Sequence, residues 1–124
     1  MKTPLKVFLL EDDRQMIELL NLRLKELGYH VCGHADSAES AVNCIKECKP
    51  DIALIDIELQ GQNNGLAVGD YLLNQTDIPF VYMTGHDEAQ VLEMARRTVP
   101  DGYLLKPFDD RQLRVAVEMA MRKS

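Results

Sequence analysis

The stretch Pro50-Asp51-Ile52-Ala53-Leu54-Ile55-Asp56-Ile57-Glu58-Leu59 decides how the chain is read. Four apolar residues, Ile52 to Ile55, run without a break into the carboxylate of Asp56. A short run that is apolar at consecutive positions, not alternate ones, reads as a strand covered on both faces of a sheet. An unpaired carboxylate inside such a strand would be costly. Asp56 is therefore expected where the strand ends and the sheet edge opens. In an open α/β fold, that carboxyl edge is where ligands bind.

Working outward, the same pattern recurs. Lys6-Val7-Phe8-Leu9-Leu10 is a second apolar run and ends in Glu11-Asp12-Asp13. Val31 to Ala35, Phe80 to Thr84 and Gly102 to Leu105 supply three more short strands. Between them the period changes to that of helices. From Arg14 to Leu27 the inner stripe is Met16, Leu19, Leu20, Leu24 and Leu27, and Gly28 stands at the natural C-cap. Asp36 and Glu39 have capping-box spacing before a helix whose inner face is Ala38, Ala41, Val42, Ile45 and Cys48. Further helices are expected from about Leu66 to Asn74, and from Glu88 to Arg97 with Val91, Met94 and Ala95 inward. Asp109 with Gln112 caps a last helix that buries Leu113, Ala116, Val117 and Ala120. Five strand–helix units in alternation predict an α/β domain, a parallel sheet with helices on both faces.

The chain has 124 residues, which suits one domain, 1–124, with a core over about 5–122. A formal charge of -6 argues against a surface built to hold phosphate backbones, so no direct nucleic-acid binding is expected. No apolar run approaches the roughly 20 residues that span a bilayer. Met1-Lys2-Thr3-Pro4 is not followed by a signal-peptide pattern, so the cytoplasm is the expected compartment and no membrane partner is expected. Cys32, Cys44 and Cys48 read as reduced, small core residues. Cys44 and Cys48, four apart, could in principle share a metal with His30 or His34, which is the weaker reading.

Right-handed crossovers bring all five strand ends to one edge. There stand Glu11-Asp12-Asp13, Asp56, Thr84 and Lys106. Crowded carboxylates raise one another's pKa unless a cation neutralises them. A hard divalent ion with oxygen ligands, Mg2+ above all, meets that need. A lysine repels the ion, so Lys106 and Thr84 make better sense as donors to an anion beside it, such as a phosphoryl group. Asp56 is then either a metal ligand or a nucleophile, and one of Asp12 and Asp13 is free to cap the first helix. No glycine-rich phosphate loop or dinucleotide fingerprint is present.

Four segments together resemble the receiver domain of two-component response regulators, the single-domain chemotaxis regulator included. They are Val7 to Asp13, Pro50 to Asp56, Pro79 to Thr84, and Gly102-Tyr103-Leu104-Leu105-Lys106-Pro107-Phe108. The resemblance implies a flavodoxin-like (βα)5 three-layer sandwich with parallel strand order 2-1-3-4-5. It makes Asp56 the phosphoacceptor and Glu11 with Asp12 the pair that holds Mg2+, with Mn2+ able to substitute. The backbone carbonyl of Glu58 matches a further ligand to the ion. Thr84 and Lys106 match the groups that bond the phosphoryl oxygens, and Thr84 with Tyr103 the switch pair. Glu58 and His86 lie where similar domains tune dephosphorylation. The implied activity is phosphoryl transfer from a partner phosphohistidine, followed by autodephosphorylation: self-catalysis, not conventional turnover. Implied partners are a sensor histidine kinase or a histidine phosphotransfer protein, an output domain or effector, and a second copy through the face of the fourth helix, fifth strand and fifth helix.

Departures from the usual pattern are Leu59-Gln60 where Met-Pro is common, a slightly longer loop from Asp56 to Gly65, Gly85 where alanine is frequent, and Val99-Pro100 before the fifth strand. A phosphorylation-independent scaffold of the same fold is the alternative function. A Mg2+-dependent phosphatase-like hydrolase is a weaker one, since there is no room for a substrate cap. Whether the domain stands alone or carries an output domain is left open.

Overall fold

The computed structural model describes residues 3–62, 64–85 and 89–123. Strands and helices alternate as β1 (Lys6–Leu10), α1 (Arg14–Glu26), β2 (His30–Ala35), α2 (Ala38–Cys48), β3 (Ile52–Asp56), α3 (Gly65–Gln75), β4 (Phe80–Thr84), α4 (Ala89–Arg96), β5 (Gly102–Leu105) and α5 (Asp110–Lys123). The strands form one sheet in the order β2-β1-β3-β4-β5, and every pairing is parallel. This is the flavodoxin-like arrangement expected above.

Apolar residues at consecutive positions of a strand serve two cores because alternate side chains leave opposite faces of the sheet. Val7, Leu9, Ile52, Leu54, Val81, Met83 and Leu104 pack with Leu20 and Leu24 of α1 and Leu113, Val117 and Ala120 of α5. Phe8, Leu10, Ala53, Ile55, Phe80 and Tyr82 pack with Ala41 and Ile45 of α2, Val68 and Leu72 of α3 and Ala95 of α4. The central strands β3 and β4 are buried along their whole length. The sheet thus lies between two helical layers.

Asp13 caps α1, its Oδ1 accepting the N–H groups of Gln15 at 3.0 Å and Met16 at 3.4 Å. Beyond the helix, Gly28 takes φ 92, the left-handed geometry expected of it. Asp109 and Gln112 form the reciprocal box, with Gln112 N–H to Asp109 Oδ1 at 2.8 Å and Asp109 N–H to Gln112 Oε1 at 2.9 Å.

Two expectations need correction, the cap of α2 and the inward placing of Leu19 and Met94. The cap of α2 is Ser37, not the Asp36–Glu39 box: Ser37 is extended at φ -142, and its hydroxyl accepts Ser40 N–H at 3.2 Å. Asp36 lies one residue outside the helix boundary. Leu19 and Met94 are 47% and 42% exposed. Each precedes an inner residue, Leu20 or Ala95, and a step of one residue turns about 100° around a helix, away from the core. His86, with Asp87 and Glu88, lies outside the described residues.

Candidate functional site

The pleat that divides the cores also divides the polar residues at the sheet edge. Continuing the alternation, Glu11 follows Val7 and Leu9, Asp56 follows Ile52 and Leu54, Gly85 follows Val81 and Met83, and Lys106 follows Leu104. All four fall on the α1–α5 side and line one cleft of about 250 Å³ with Asp12, Asp13 and Glu58. Thr84 follows Phe80 and Tyr82 toward the other side. With Tyr103 and Leu105 it lines a separate cleft of about 600 Å³ against Ala89, Leu92, Glu93 and Arg96 of α4.

Asp56 ends β3 and is only 4% exposed. Lys106 reaches back over it, its Nζ 3.1 Å from Asp56 Oδ2 and 2.7 Å from Glu11 Oε1. Main-chain bonds extend the ladder to hold both partners: Glu11 N–H donates to Ala35 at 3.1 Å and Lys106 N–H to Thr84 at 2.7 Å. Arg23 of α1 steadies the segment after Lys106. It pairs with Asp110, donates to the carbonyl of Phe108 at 2.8 Å, and lies 5.2 Å over the Phe108 ring.

Burial and the hydrogen bond to Glu11 raise Asp56 to about 7, against the pull of the Lys106 charge. Glu11 suffers burial too, but its bonds to Asp56 and Lys106 carry it below the ordinary carboxylate range. Lys106 is pulled down by burial and pushed up more strongly by Glu11 and Asp56, so it stays a cation. One ammonium is therefore shared by two buried carboxyls whose titrations are driven apart.

Asp12 is exposed, and Asp13 is committed to the helix cap. Carboxylate oxygens of Glu11, Asp12 and Asp56 all lie within 4.8 Å of one another. Such hard oxygen donors fit Mg2+. Two residues beyond these also shape the site, and sequence reasoning gave neither a role in it. Gln60 N–H donates to Asp12 Oδ2 at 2.7 Å; it sits with Gly61 in a tight turn, φ 54 and 76, closed by paired bonds between Leu59 and Gln62. Gly65 opens α3 so close to β3 that a Cβ there would run into the Asp56 carbonyl. The Gly61–Gly65 run signalled a loop; it carried no sign of which glycine touches the site. Glu58 lines the cleft, and its N–H donates to Asp56 Oδ1 at 3.1 Å. Tyr103 is 42% exposed, its ring 6.2 Å from that of Tyr82.

Residues 7–118 match the family model of the response regulator receiver domain. The chain belongs to that family. Its receiver fold superposes on the signal receiver domain of a modulated diguanylate cyclase from Desulfovibrio desulfuricans G20 with a TM-score of 0.89 and 35% identity, covering 98% of this chain and 96% of that one. The N-terminal domain of a response regulator/sensory box/GGDEF protein from Carboxydothermus hydrogenoformans gives 0.83 and 30%, covering 95% and 94%. Among curated relatives, the transcriptional regulatory protein PdtaR of Mycobacterium tuberculosis is 28% identical over 97% of this chain. The DNA-binding response regulator MtrA of Mycobacterium leprae is 25% identical over 96%. The receiver domain spans 58% of the first and 52% of the second. Among the described residues, no helix is long and apolar enough to cross a membrane.

Proposed function

We propose that this receiver domain accepts a phosphoryl group on Asp56 from the phosphohistidine of a partner kinase or phosphotransfer protein, and later releases it as phosphate. One observation carries the reading: a buried carboxylate at a strand end, 3.1 Å from an ammonium, with two further carboxylates close enough to share a cation. An Asp56 oxygen forms the new bond to phosphorus. The nitrogen–phosphorus bond breaks, and the imidazole leaves with the electron pair.

Lys106 is placed to turn from Glu11 and Asp56 to a phosphoryl oxygen, where its charge offsets that of the transferring group. Glu11, Asp12 and Asp56 would hold Mg2+, with the Glu58 carbonyl as a further ligand and Mn2+ as a substitute. When bound, the ion neutralises negative charge at the transferring group. Glu58 N–H, on Asp56 Oδ1, fixes which carboxylate oxygen is left to react. Thr84 bonds the phosphoryl group from the α4 side, and Tyr103 follows it inward, changing the face of α4, β5 and α5 that meets an output domain, an effector or a second copy. Glu58 and His86 tune the rate of hydrolysis.

Incubation with Mg2+ and phosphoramidate, read by intact mass, tests the reading. The expected result is a gain of one phosphoryl that is lost in Asp56→Asn. No gain in the wild-type protein would favour the scaffold reading.

A further inference from the structure

The three cysteines take no part in the aspartyl chemistry, yet they are not scattered. Cys32 stands on β2, and Cys44 and Cys48 lie one turn apart on α2. Cys32 Sγ and Cys48 Sγ are 2.8 Å apart, which exceeds the length of a disulfide bond, about 2.05 Å, by less than an ångström. Gly33 leaves room for this grouping, since a Cβ there would meet Cys44 Sγ at 2.5 Å and Cys48 Sγ at 3.5 Å. All three thiols are half-buried, so small oxidants can reach them. A shared metal is not what gathers them: among the described residues, only Glu11, Asp12 and Asp56 bring ligand atoms together as a group of three or more.

We propose that Cys32 and Cys48 form a reversible disulfide when the protein meets hydrogen peroxide, stapling β2 to the last turn of α2. Burial holds the Cys44 thiol above its ordinary range, and burial with the Cys32 hydrogen bond pushes Cys48 up to about 12. With Cys48 Sγ 2.8 Å away to resolve it, Cys32 is taken as the sulfur that attacks. Its sulfur–oxygen bond forms as the peroxide oxygen–oxygen bond breaks, and the released oxygen leaves as water with the thiol proton. Cys48 sulfur then displaces the hydroxyl of the Cys32 sulfenic acid, which departs as water with the Cys48 proton. The two thiols lose two electrons and the peroxide gains them.

Treating the reduced protein with hydrogen peroxide tests this independently of Asp56. The expected product is a monomer lighter by two hydrogen atoms, restored by dithiothreitol, with Cys32 linked to Cys48 in proteolytic maps. Cys44→Ser should still form it, whereas Cys32→Ala and Cys48→Ser should not. Closing a loop of this length should raise the Tm on the order of 10 °C. Phosphoramidate labelling of oxidised and reduced forms should agree. A link through Cys44, a disulfide between chains, or only added oxygen on Cys32 would overturn the proposal. So would three thiols that all still alkylate after treatment.

Discussion

Two clefts open at the same sheet edge, and they are made of opposite materials. The one on the α1–α5 side is small and charged, with the buried Glu11 and Asp56 both satisfied by Lys106. The one on the α4 side is more than twice as roomy, and its wall includes Tyr103 and Leu105, 42% and 52% exposed. The strands that line both clefts send alternate residues to each. Met83 belongs to the first side and Thr84 to the second. What joins them is short: Lys106 N–H donates to the Thr84 carbonyl at 2.7 Å. Charge chemistry and mechanical read-out can thus be altered separately, though a shift in Lys106 is felt by Thr84 through one main-chain bond.

The largest test of that division is Lys106→Met. Without the ammonium, two buried carboxyls face each other with a single neighbour removed. Breaking such a pairing costs about 3 to 5 kcal/mol. Urea unfolding without Mg2+ at pH 8 should show it, and the cost should shrink toward pH 5, where protonation relieves the repulsion. Equal stability of the two proteins at pH 8 would mean that Lys106 does not hold the charged cleft together.

Asp56→Asn probes the same cleft with the opposite sign. Asp56 releases its proton near 3.8 when unfolded and at about 7 when folded. Between those values the folded state binds more protons, so this group's contribution to stability is full below pH 4 and is lost as pH rises through 7. Asparagine carries no such burden. The variant should gain on wild type by about 4 kcal/mol between pH 4 and pH 8 in metal-free solution, and less with saturating Mg2+. A pH-independent difference would refute the raised carboxyl.

Tyr103→Ala moves to the second cleft. The ring is part exposed, so its loss should cost about 1 kcal/mol. Phosphoramidate labelling should stay within about two-fold, as expected of sites that share no partner. A large drop in labelling would join the two clefts more tightly than the pleat suggests.

The charged cleft was far more legible in the sequence than the second. Consecutive apolar residues demanded strands with two buried faces, and those strands had to end on one edge, so Glu11, Asp56 and Lys106 could be placed together by pattern alone. Helix registers were legible where the stripe is wide, and failed at its flanks, Leu19 and Met94, where an apolar residue costs little in water. Gln60 and Gly65 were hidden because they act through main-chain atoms. An N–H that reaches Asp12, or a missing Cβ beside the Asp56 carbonyl, has no residue type of its own to announce it. Val99 shows the same limit: it is a β-branched residue held at φ 50 before β5, a conformation that costs such a side chain free energy, and only the backbone reveals it.

The smallest effect belongs to Gly85, which stands where the chain passes from one cleft to the other. It follows Thr84 and lines the charged side. Its backbone lies outside the left-handed region, and a Cβ added there would meet nothing within 4 Å among the described residues. Alanine therefore keeps the native conformation and restricts only the unfolded chain, a gain of about 0.5 kcal/mol. Gly85→Ala should unfold at slightly higher urea with labelling by phosphoramidate unchanged. Slower labelling at equal or greater stability would show that the mouth of the charged cleft is tighter than the space around Gly85 implies, since the added methyl would then stand in the donor's path without disturbing the fold.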